Sequence, residues 1–418
     1  MRAFVWIINY IISVARALFI LAIALFLPQI CLWNAQQSTT NVSSESSTTF
    51  KLGVENVIGR NVLSKDIQKL EPSIALVTNN TGVDQEGNNT LDVLIDKGLS
   101  IKKILVPQTM AEKKALAANL HHIPTISLQS KKGSPYIAKD LMNGIDTIMI
   151  DIQDNGMHYA SSSNPLLDIM KAASIHKKKC IILDRPNLLG WCMEGFCPEV
   201  PLRYGMTIGE VARYYNKYVL RKPIDLEIVP MTNYSRCVES GSMLACSLSP
   251  EIKNIDSCYG YSFLGLLDQV APFDTGLGSD KSFQCILLPD KLKFPKQKWL
   301  ELGALLKDLG VESKEHRYYS ARKKTYCSGL RFHIIDINHF SSFKTLITLL
   351  SFFKSNGVPI QFSASFDKAM GSQAIKSLIQ GTLSKTEFAL QVNNNLQSFF
   401  KKACSCFLYK PYPKMMHV

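Results

Sequence analysis

The sequence lacks the glycine-rich loops that bind nucleotide phosphates. The loop after the first predicted strand, residues 79–84 (NNTGVD), contains neither a G-x-G-x-x-G motif nor a P-loop. Without these glycines the backbone cannot close around a pyrophosphate. The sequence therefore excludes dinucleotide binding, and we expect no cofactor.

Paired cysteines of the metal-binding kind are also missing. None of the 11 cysteines forms a Cys-x-x-Cys pair, and no His/Cys cluster has metal-ligand spacing. We therefore expect no metal site and assign no catalytic cysteine. Cys180 and Cys285 lie within apolar runs and are predicted to be buried thiols. Whether Cys192 and Cys197 pair after export is left open, because closeness in sequence does not establish a disulfide.

Long blocks of basic residues are absent, although the formal net charge is +13. The densest basic runs, residues 177–179 and 401–402, are only three and two residues long. We interpret these runs as solvated lysine faces and expect no nucleic-acid partner. A basic surface still attracts anionic polymers, including carboxylate-rich cell-wall peptides.

Only the N-terminus carries a long apolar stretch, and no internal repeat is found. In residues 1–35, Arg2 and Arg16 flank one apolar run, and residues 17–27 form a second. This pattern is typical of a signal peptide or of an uncleaved signal anchor, and the sequence leaves open which one it is. Residues 36–50 are rich in Ser and Thr and are predicted to be a flexible linker. We expect export to the periplasm or cell envelope, with membrane contact only through this N-terminal segment.

From residue 51 the hydrophobic pattern alternates between strands and helices. Such alternation is typical of a doubly wound parallel sheet and predicts a Rossmann-like α/β domain over residues 51–230. Thr207 and Glu210 have the spacing of a capping box at the start of a helix. The predicted strands are 73–78, 101–106, 123–128, 147–150, 180–183 and 226–229, and the predicted helices are 90–97, 110–119, 164–176 and 208–219.

After residue 230 the pattern changes, and loops with Gly and Pro, Gly260 among them, surround shorter elements. This pattern predicts a smaller α+β domain over residues 231–413, with a ligand cleft between the two domains. The predicted strands are 284–288 and 330–335, and the predicted helices are 298–309, 343–354 and 385–402.

Two of the predicted strands, 147–150 and 180–183, end in dense polar clusters. In open α/β sheets ligands bind outside the carboxyl ends of the strands, so these clusters are candidate binding residues. Strand-end aspartates also cap helices and hold loops, and an arginine here either clamps a ligand carboxylate or pairs with a neighbouring aspartate. The candidates are Asp151, Gln153, Asp154, Asp184, Arg185 and Asn187.

The same clusters, together with further motifs, resemble the bacterial exo-β-N-acetylmuramidase family. The resemblance is collinear from about residue 52 to 413. It implies a Rossmann-like domain with an appended smaller domain, and a glycosidase that removes N-acetylmuramic acid from the non-reducing ends of peptidoglycan fragments. Peptidoglycan fragments or muropeptides are then the expected partners. The motifs are 77–84 (VTNNTGVD), 151–156 (DIQDNG), 184–187 (DRPN), 203–210 (RYGMTIGE), 278–283 (GSDKSF) and 366–371 (FDKAMG).

Four positions depart from the family pattern. The second strand of the family normally ends in Ser-Pro-Glu-His-Gly, whose glutamate is the leading catalytic candidate, whereas this chain has Gln108 in its place. A glutamine keeps the shape of glutamate but carries no exchangeable acidic proton, which glycoside hydrolysis requires of its carboxyls. In addition, His158 replaces an arginine, Tyr204 a histidine and Gln284 a glutamate.

The resemblance therefore predicts a muramidase-like protein that binds its sugar and hydrolyses it weakly or not at all. The alternative is a non-catalytic sugar-binding or structural envelope protein. Candidate replacement acids or bases are Asp154, His158 and Glu194, although a structural role is the competing interpretation for each. The resemblance adds Asn79, Thr81, Gln108, Asp280 and Lys281 as candidate binding residues, against the alternatives of turn hydrogen bonds for Asn79 and a surface ion pair for Asp280 and Lys281. The sequence leaves the oligomeric state open.

Overall fold

A computed structural model describes most of the chain beyond the predicted linker. The described residues are 49–59, 72–107, 122–128, 142–159, 165–196, 199–236, 247–337 and 339–411. The predicted N-terminal segment, the predicted helix 110–119, Gln108 and Cys197 lie outside these ranges. Within them, no helix is both long and apolar enough to cross a membrane.

Six parallel strands form the central sheet, in the order β3-β2-β1-β4-β5-β8. Most side chains of β1 and β4 are apolar, and every residue of both strands is buried. Such strands need helices on both faces, which is the doubly wound arrangement that the sequence predicts. The predicted fold class is confirmed. The strands are β1 (Ile74–Thr78), β2 (Ile101–Val106), β3 (Thr125–Ser127), β4 (Thr147–Asp151), β5 (Lys179–Leu183) and, after a short ribbon, β8 (Leu226–Val229).

The helices that flank this sheet begin at polar caps. Asn89 accepts a hydrogen bond from the backbone of Leu91 at the start of α2, and the predicted capping box of Thr207 and Glu210 is present at the start of α4. The helix after Thr207 is shorter than predicted, because its last five residues, Tyr215–Val219, form a π turn. The helices are α1 (Gly53–Gly59), α2 (Thr90–Asp96), α3 (Pro165–His176) and α4 (Ile208–Tyr214).

A second region contains a three-stranded antiparallel sheet in the order β10-β12-β11. Its strands are β10 (Cys285–Pro289), β11 (Val311–Ser320) and β12 (Thr325–Ile334), and two-residue ribbons pair β6 (Met193–Glu194) with β7 (Arg203–Tyr204) and β9 (Val270–Ala271) with β13 (Gln361–Phe362). The helices are α5 (Ile255–Leu267), α6 (Lys296–Lys307), α7 (Ser342–Ser355), α8 (Ala364–Met370), α9 (Ala374–Gln380) and α10 (Lys385–Ala403).

Helix α5 corrects the interpretation of Gly260 as a loop residue. Gly260 lies in the middle of this helix, where a Cβ atom would come within 1.6 Å of the carbonyl oxygen of Phe283. Glycine is needed here for close packing against the neighbouring loop, rather than for a turn. The sequence pattern did not predict α5, because its glycine is required by a tertiary contact and was interpreted as the mark of a loop.

The C-terminus returns from the second region to the central sheet. The hydroxyl of Tyr409 donates a hydrogen bond to Asp184 Oδ2 at 2.7 Å, and the amide of Leu408 donates to Glu210 Oε1 at 2.8 Å. Buried apolar residues of both regions also join in one continuous core. The division at residue 230 therefore stays a prediction.

Candidate functional site at the carboxyl edge of the sheet

A cleft of about 490 Å³ lies between the carboxyl ends of the central strands and the second region. Asn79 and Pro107 follow β1 and β2, while Tyr261 and Phe283 enter from the second region. This is the place where open α/β sheets bind their ligands. The polar residues that line it are Asn79, Gln153, Asp154, Asn155, Ser249 and Glu251.

Asp151 and Arg185, which end or follow neighbouring strands, form a buried ion pair. Arg185 Nε lies 2.5 Å from Asp151 Oδ1, and a second guanidinium nitrogen lies 2.7 Å from Oδ2. The hydroxyl of Thr90 also donates to this carboxylate, and Arg185 donates to the carbonyl oxygen of Val83. Both oxygens of Asp151 are therefore occupied by its own protein, and neither Asp151 nor Arg185 lines the cleft.

Asp184 is fully buried and accepts four hydrogen bonds. Its Oδ1 accepts from the amides of Arg185 and Gly209, and its Oδ2 accepts from Thr207 Oγ1 and the Tyr409 hydroxyl. Burial raises the pKa of Asp184 to about 7, with a smaller contribution from the nearby Glu210 carboxylate, and the donors only partly oppose this rise. These contacts join β5, α4 and the C-terminal residues, so they support a structural role for Asp184.

Asn187 closes the loop below the cleft. Its Nδ2 donates to the carbonyl oxygen of Met206 at 2.9 Å, and its Oδ1 accepts from the amide of Leu189 at 2.9 Å. Gly156 packs directly on this side chain at a φ of 90°, and a Cβ there would lie 2.1 Å from Asn187 Oδ1. Asn187 thus fixes the backbone that follows Asp154.

Asn79, Thr81 and Gln153 form a hydrogen-bonded floor for the cleft. Asn79 Oδ1 accepts from both the amide and the hydroxyl of Thr81, and Thr81 Oγ1 accepts from the amide of Gln153 at 2.9 Å. Gln153 Nε2 donates to the carbonyl oxygens of Asp154 and Pro186. The predicted turn hydrogen bond of Asn79 is therefore present, and Asn79 and Gln153 also line the cleft.

Asp154 is the predicted candidate acid that does line the cleft. Its Oδ1 accepts from the amides of Asn155, at 2.6 Å, and Gly156, at 3.4 Å, and its Oδ2 accepts from the Tyr204 hydroxyl at 2.5 Å. Burial raises the pKa of Asp154 above that of an ordinary aspartate, although these donors and the nearby His158 oppose the rise. The three donors fix the orientation of this carboxyl, and burial makes it hold its proton more tightly than an ordinary aspartate does.

His158 sits behind Asp154 and does not itself line the cleft. Its amide donates to the carbonyl oxygen of Leu202 at 2.8 Å. Burial lowers the pKa of the His158 imidazole, and the Asp154 carboxylate opposes this. His158 therefore influences the site electrostatically, through Asp154.

Glu194, the third candidate, is completely buried away from the cleft. Its Oε1 lies 2.8 Å from Arg203, and its Oε2 accepts from Ser341 Oγ and from the amide of Phe343. The carboxylate thus accepts a hydrogen bond from a free amide in the first turn of α7, and it also forms the ion pair with Arg203. This geometry supports the structural alternative for Glu194.

The loop of residues 276–283 forms part of the cleft rim. Asp280 and Lys281 form an exposed ion pair at 2.9 Å, and the hydrogen bond from Lys281 lowers the pKa of Asp280. Neither side chain lines the cleft, whereas Phe283 does. Gln284 is buried after the loop and accepts a long hydrogen bond from Arg331 at 3.4 Å.

Glu251 lines the cleft and was missed by the sequence analysis. Its segment carries no recognisable motif and precedes α5 by only a few residues. The Ser282 hydroxyl donates to Glu251 Oε2. Only the fold brings this carboxylate to the same cleft as Asp154. Gln108 lies outside the described residues, although Pro107, which precedes it, lines the cleft.

The cleft also offers uncommitted hydrogen-bonding groups. Among the residues with described positions, Asn79 Nδ2, Asn155 Nδ2 and Gln153 Oε1 have no hydrogen-bond partner. Two amide donors, one amide acceptor, two carboxyls and aromatic side chains in one cleft suit a ligand with hydroxyl and acetamido groups. No group of three or more His, Cys, Asp or Glu side chains in the described ranges is arranged to hold a metal ion.

Comparison with known proteins identifies matches over most of the chain. The family described as "Exo-beta-N-acetylmuramidase NamZ, N-terminal" matches residues 74–256, and "Exo-beta-N-acetylmuramidase NamZ, C-terminal" matches residues 259–409. The peptidoglycan β-N-acetylmuramidase NamZ of Bacillus subtilis (strain 168) is 26% identical over 369 residues, which cover 80% of this chain and 86% of that protein.

Two crystal structures of DUF1343 family proteins from Bacteroides fragilis NCTC 9343 share the fold. The first has a TM-score of 0.72 at 23% identity, and the matched region covers 86% of this chain and 99% of that protein's chain. The second has a TM-score of 0.66 at 18% identity, and the matched region covers 87% of this chain and 100% of that protein's chain. At these identities the likeness concerns the fold alone.

Proposed function

Because the chain belongs to the exo-β-N-acetylmuramidase NamZ family, we propose that its cleft binds peptidoglycan fragments that end in N-acetylmuramic acid. We further propose that it hydrolyses them only weakly, since Gln108 replaces the glutamate of the family pattern. The cell envelope is the corresponding location, as the relative from Bacillus subtilis is named for peptidoglycan.

The observation that carries this proposal is the composition of the cleft. Free amide groups of Asn79, Gln153 and Asn155 line it together with the rings of Tyr261 and Phe283. Sugar rings present hydroxyl groups at their edges and C–H groups on their faces, so both kinds of lining group have a complementary partner. A volume of about 490 Å³ is in the range of small-ligand pockets.

The substitution at residue 108 supports weak hydrolysis. Glycosidases use one carboxyl to protonate the leaving oxygen and another to activate water or attack the sugar. Loss of one such group costs about 10²- to 10⁴-fold in rate. Glutamine can still hydrogen-bond a sugar, so binding is expected to persist where catalysis declines.

The alternative is a protein that binds the sugar without any turnover, or a structural envelope protein that does neither. The uncommitted amides of the cleft favour binding over a purely structural role. Their hydrogen-bonding capacity is not used by the fold itself.

The test is release of N-acetylmuramic acid from a muramic-acid-terminated disaccharide, followed by mass spectrometry. The purified full chain is compared with Gln108→Glu, and Gln391→Glu, on the exposed side of α10, is the matched control. We expect slow release from the parent, a gain of about 10²-fold or more for Gln108→Glu, and no change for the control.

Binding of the same disaccharide is measured by calorimetry in parallel. Fast release by the parent would contradict the proposed loss of activity. Absence of both binding and release would contradict the proposed function as a whole. Saturable binding without release would support the alternative of a protein that binds the sugar without turnover.

A further inference from the structure

Two carboxylates from different parts of the fold line the cleft, and one of them has no role assigned by the sequence motifs. Asp154 follows β4, whereas Glu251 precedes α5. They are the acidic residues among the described residues that line the cleft. Hydrolysis of a glycoside uses two carboxyls that flank the scissile bond, so this pairing has direct chemical meaning.

Glu251 is fixed through one oxygen only. Its Oε2 accepts from the Ser282 hydroxyl and, at 3.3 Å, from the amide of Gly278, which ties the carboxylate to the rim loop. Its Oε1 has no hydrogen-bond partner in the part of the chain that the structure describes. The side chain is therefore positioned by the protein and still keeps one oxygen for a ligand or a water molecule.

Asp154 has the opposite surroundings. Both of its oxygens accept hydrogen bonds, two from backbone amides and one from Tyr204, and burial raises its pKa. Among the described residues no lysine or arginine forms an ion pair with it, and His158 is the group whose charge opposes the rise in its pKa. Two carboxyls in contrasting environments are the usual arrangement for an acid and a base in one site.

We propose that Glu251 is a catalytic residue of this cleft, and this rests on the proposed function above. Glu251 Oε1 accepts a proton from the attacking water as the water oxygen bonds to the anomeric carbon. The bond from that carbon to the bridging oxygen breaks, and Asp154 donates its proton to the bridging oxygen. The two carboxyls end with exchanged protonation states, which solvent then restores.

This pair is consistent with the slow hydrolysis proposed above. The family glutamate at residue 108 is missing, but a proton donor and a proton acceptor both remain in the cleft. General acid and base groups each contribute about 10²- to 10⁴-fold. The remaining rate should therefore depend on Glu251.

The test compares Glu251→Gln and Glu251→Ala with the parent in the full chain. Release of N-acetylmuramic acid and binding of the disaccharide are measured separately. We expect Glu251→Gln to lower kcat by about 10²-fold or more while Kd changes less than about threefold. Added formate should restore part of the activity of Glu251→Ala, because a small carboxylate can occupy the vacated position.

Two controls separate catalysis from folding and from loop position. Glu312→Gln removes an exposed carboxylate on β11 and should leave both measurements unchanged. Ser282→Ala breaks the contact to the rim loop but keeps the carboxylate, so its kcat should fall less than that of Glu251→Gln.

The outcomes distinguish this inference from the function on which it rests. If the parent binds and releases sugar and Glu251→Gln keeps the parent kcat, Glu251 is not catalytic and the proposed function stands. If the parent binds the disaccharide but releases no sugar, Glu251 has no catalytic role either. If the disaccharide does not bind at all, the proposed function itself is wrong.

Discussion

Two groups of carboxylates lie at the same edge of the central sheet, yet their surroundings differ. Asp151 and Asp184 end or directly follow strands, are fully buried, and have every oxygen hydrogen-bonded within the protein. Asp154 and Glu251 belong to the loops above and line the cleft. The strand ends therefore build a hydrogen-bonded platform, whereas the loops present carboxylates to the cleft.

The largest expected effect comes from breaking the platform. Asp151→Ala leaves the Arg185 guanidinium buried without its partner, and Glu194→Ala does the same to Arg203. Each variant should lower the free energy of unfolding by about 3–5 kcal/mol. Chemical denaturation followed by circular dichroism measures this.

The matched control for these variants is Asp280→Asn, which breaks an exposed ion pair. Its denaturation midpoint should not move. A parent-like midpoint for Asp151→Ala would show that the buried pair does not hold the sheet edge together.

A smaller effect per pH unit is expected from the titration of Asp184. Its folded pKa of about 7 lies above the ordinary value of 3.8, so the folded state binds the extra proton between these pH values. Stability should therefore fall as pH rises through this window, by up to about 1.4 kcal/mol per pH unit. Unfolding measured at several pH values tests the slope.

Asp184→Asn should remove this contribution to the slope, since the amide does not titrate. Titration of groups remote from Asp184 is common to both proteins. An unchanged slope in Asp184→Asn would assign the pH dependence to other groups.

The smallest effect concerns the cleft itself. The Tyr204 hydroxyl lowers the pKa of Asp154 by donating to its carboxylate, so Tyr204→Phe should raise that pKa further. Carbon-13 NMR titration of labelled aspartate measures the shift, with Asp154→Asn identifying the signal. Tyr319→Phe, on exposed β11, should leave the titration unchanged, and a lower pKa in Tyr204→Phe would contradict the assigned role.

The central sheet could be predicted because its signals are local. The segments Ile101–Val106 and Leu226–Val229 were predicted with their observed bounds, and the capping box at Thr207 marked the start of its helix. For β1 and β4, burial on both faces leaves few alternatives to a central strand. Fold class and the position of the cleft followed from them.

Other features could not be read from local patterns. Strand β11 (Val311–Ser320) was missed because it is an edge strand with many charged, exposed residues, which resembles a loop in sequence. Glu251 was missed because its contacts to Gly278 and Ser282 are made only in the folded chain. Likewise, the sequence left open whether Arg185 pairs with Asp151 or Asp184, and the fold pairs it with Asp151.

The most direct test of the central comparison is a crystal structure with a β-linked disaccharide of N-acetylmuramic acid and N-acetylglucosamine. We predict that the sugar lies in the cleft, within hydrogen-bond distance of Asp154 and Glu251, while Asp151 and Asp184 keep their protein partners. If the sugar contacts Asp151 or Asp184 instead, or binds outside the cleft, then the strand-end carboxylates are not a purely structural platform and this account is contradicted.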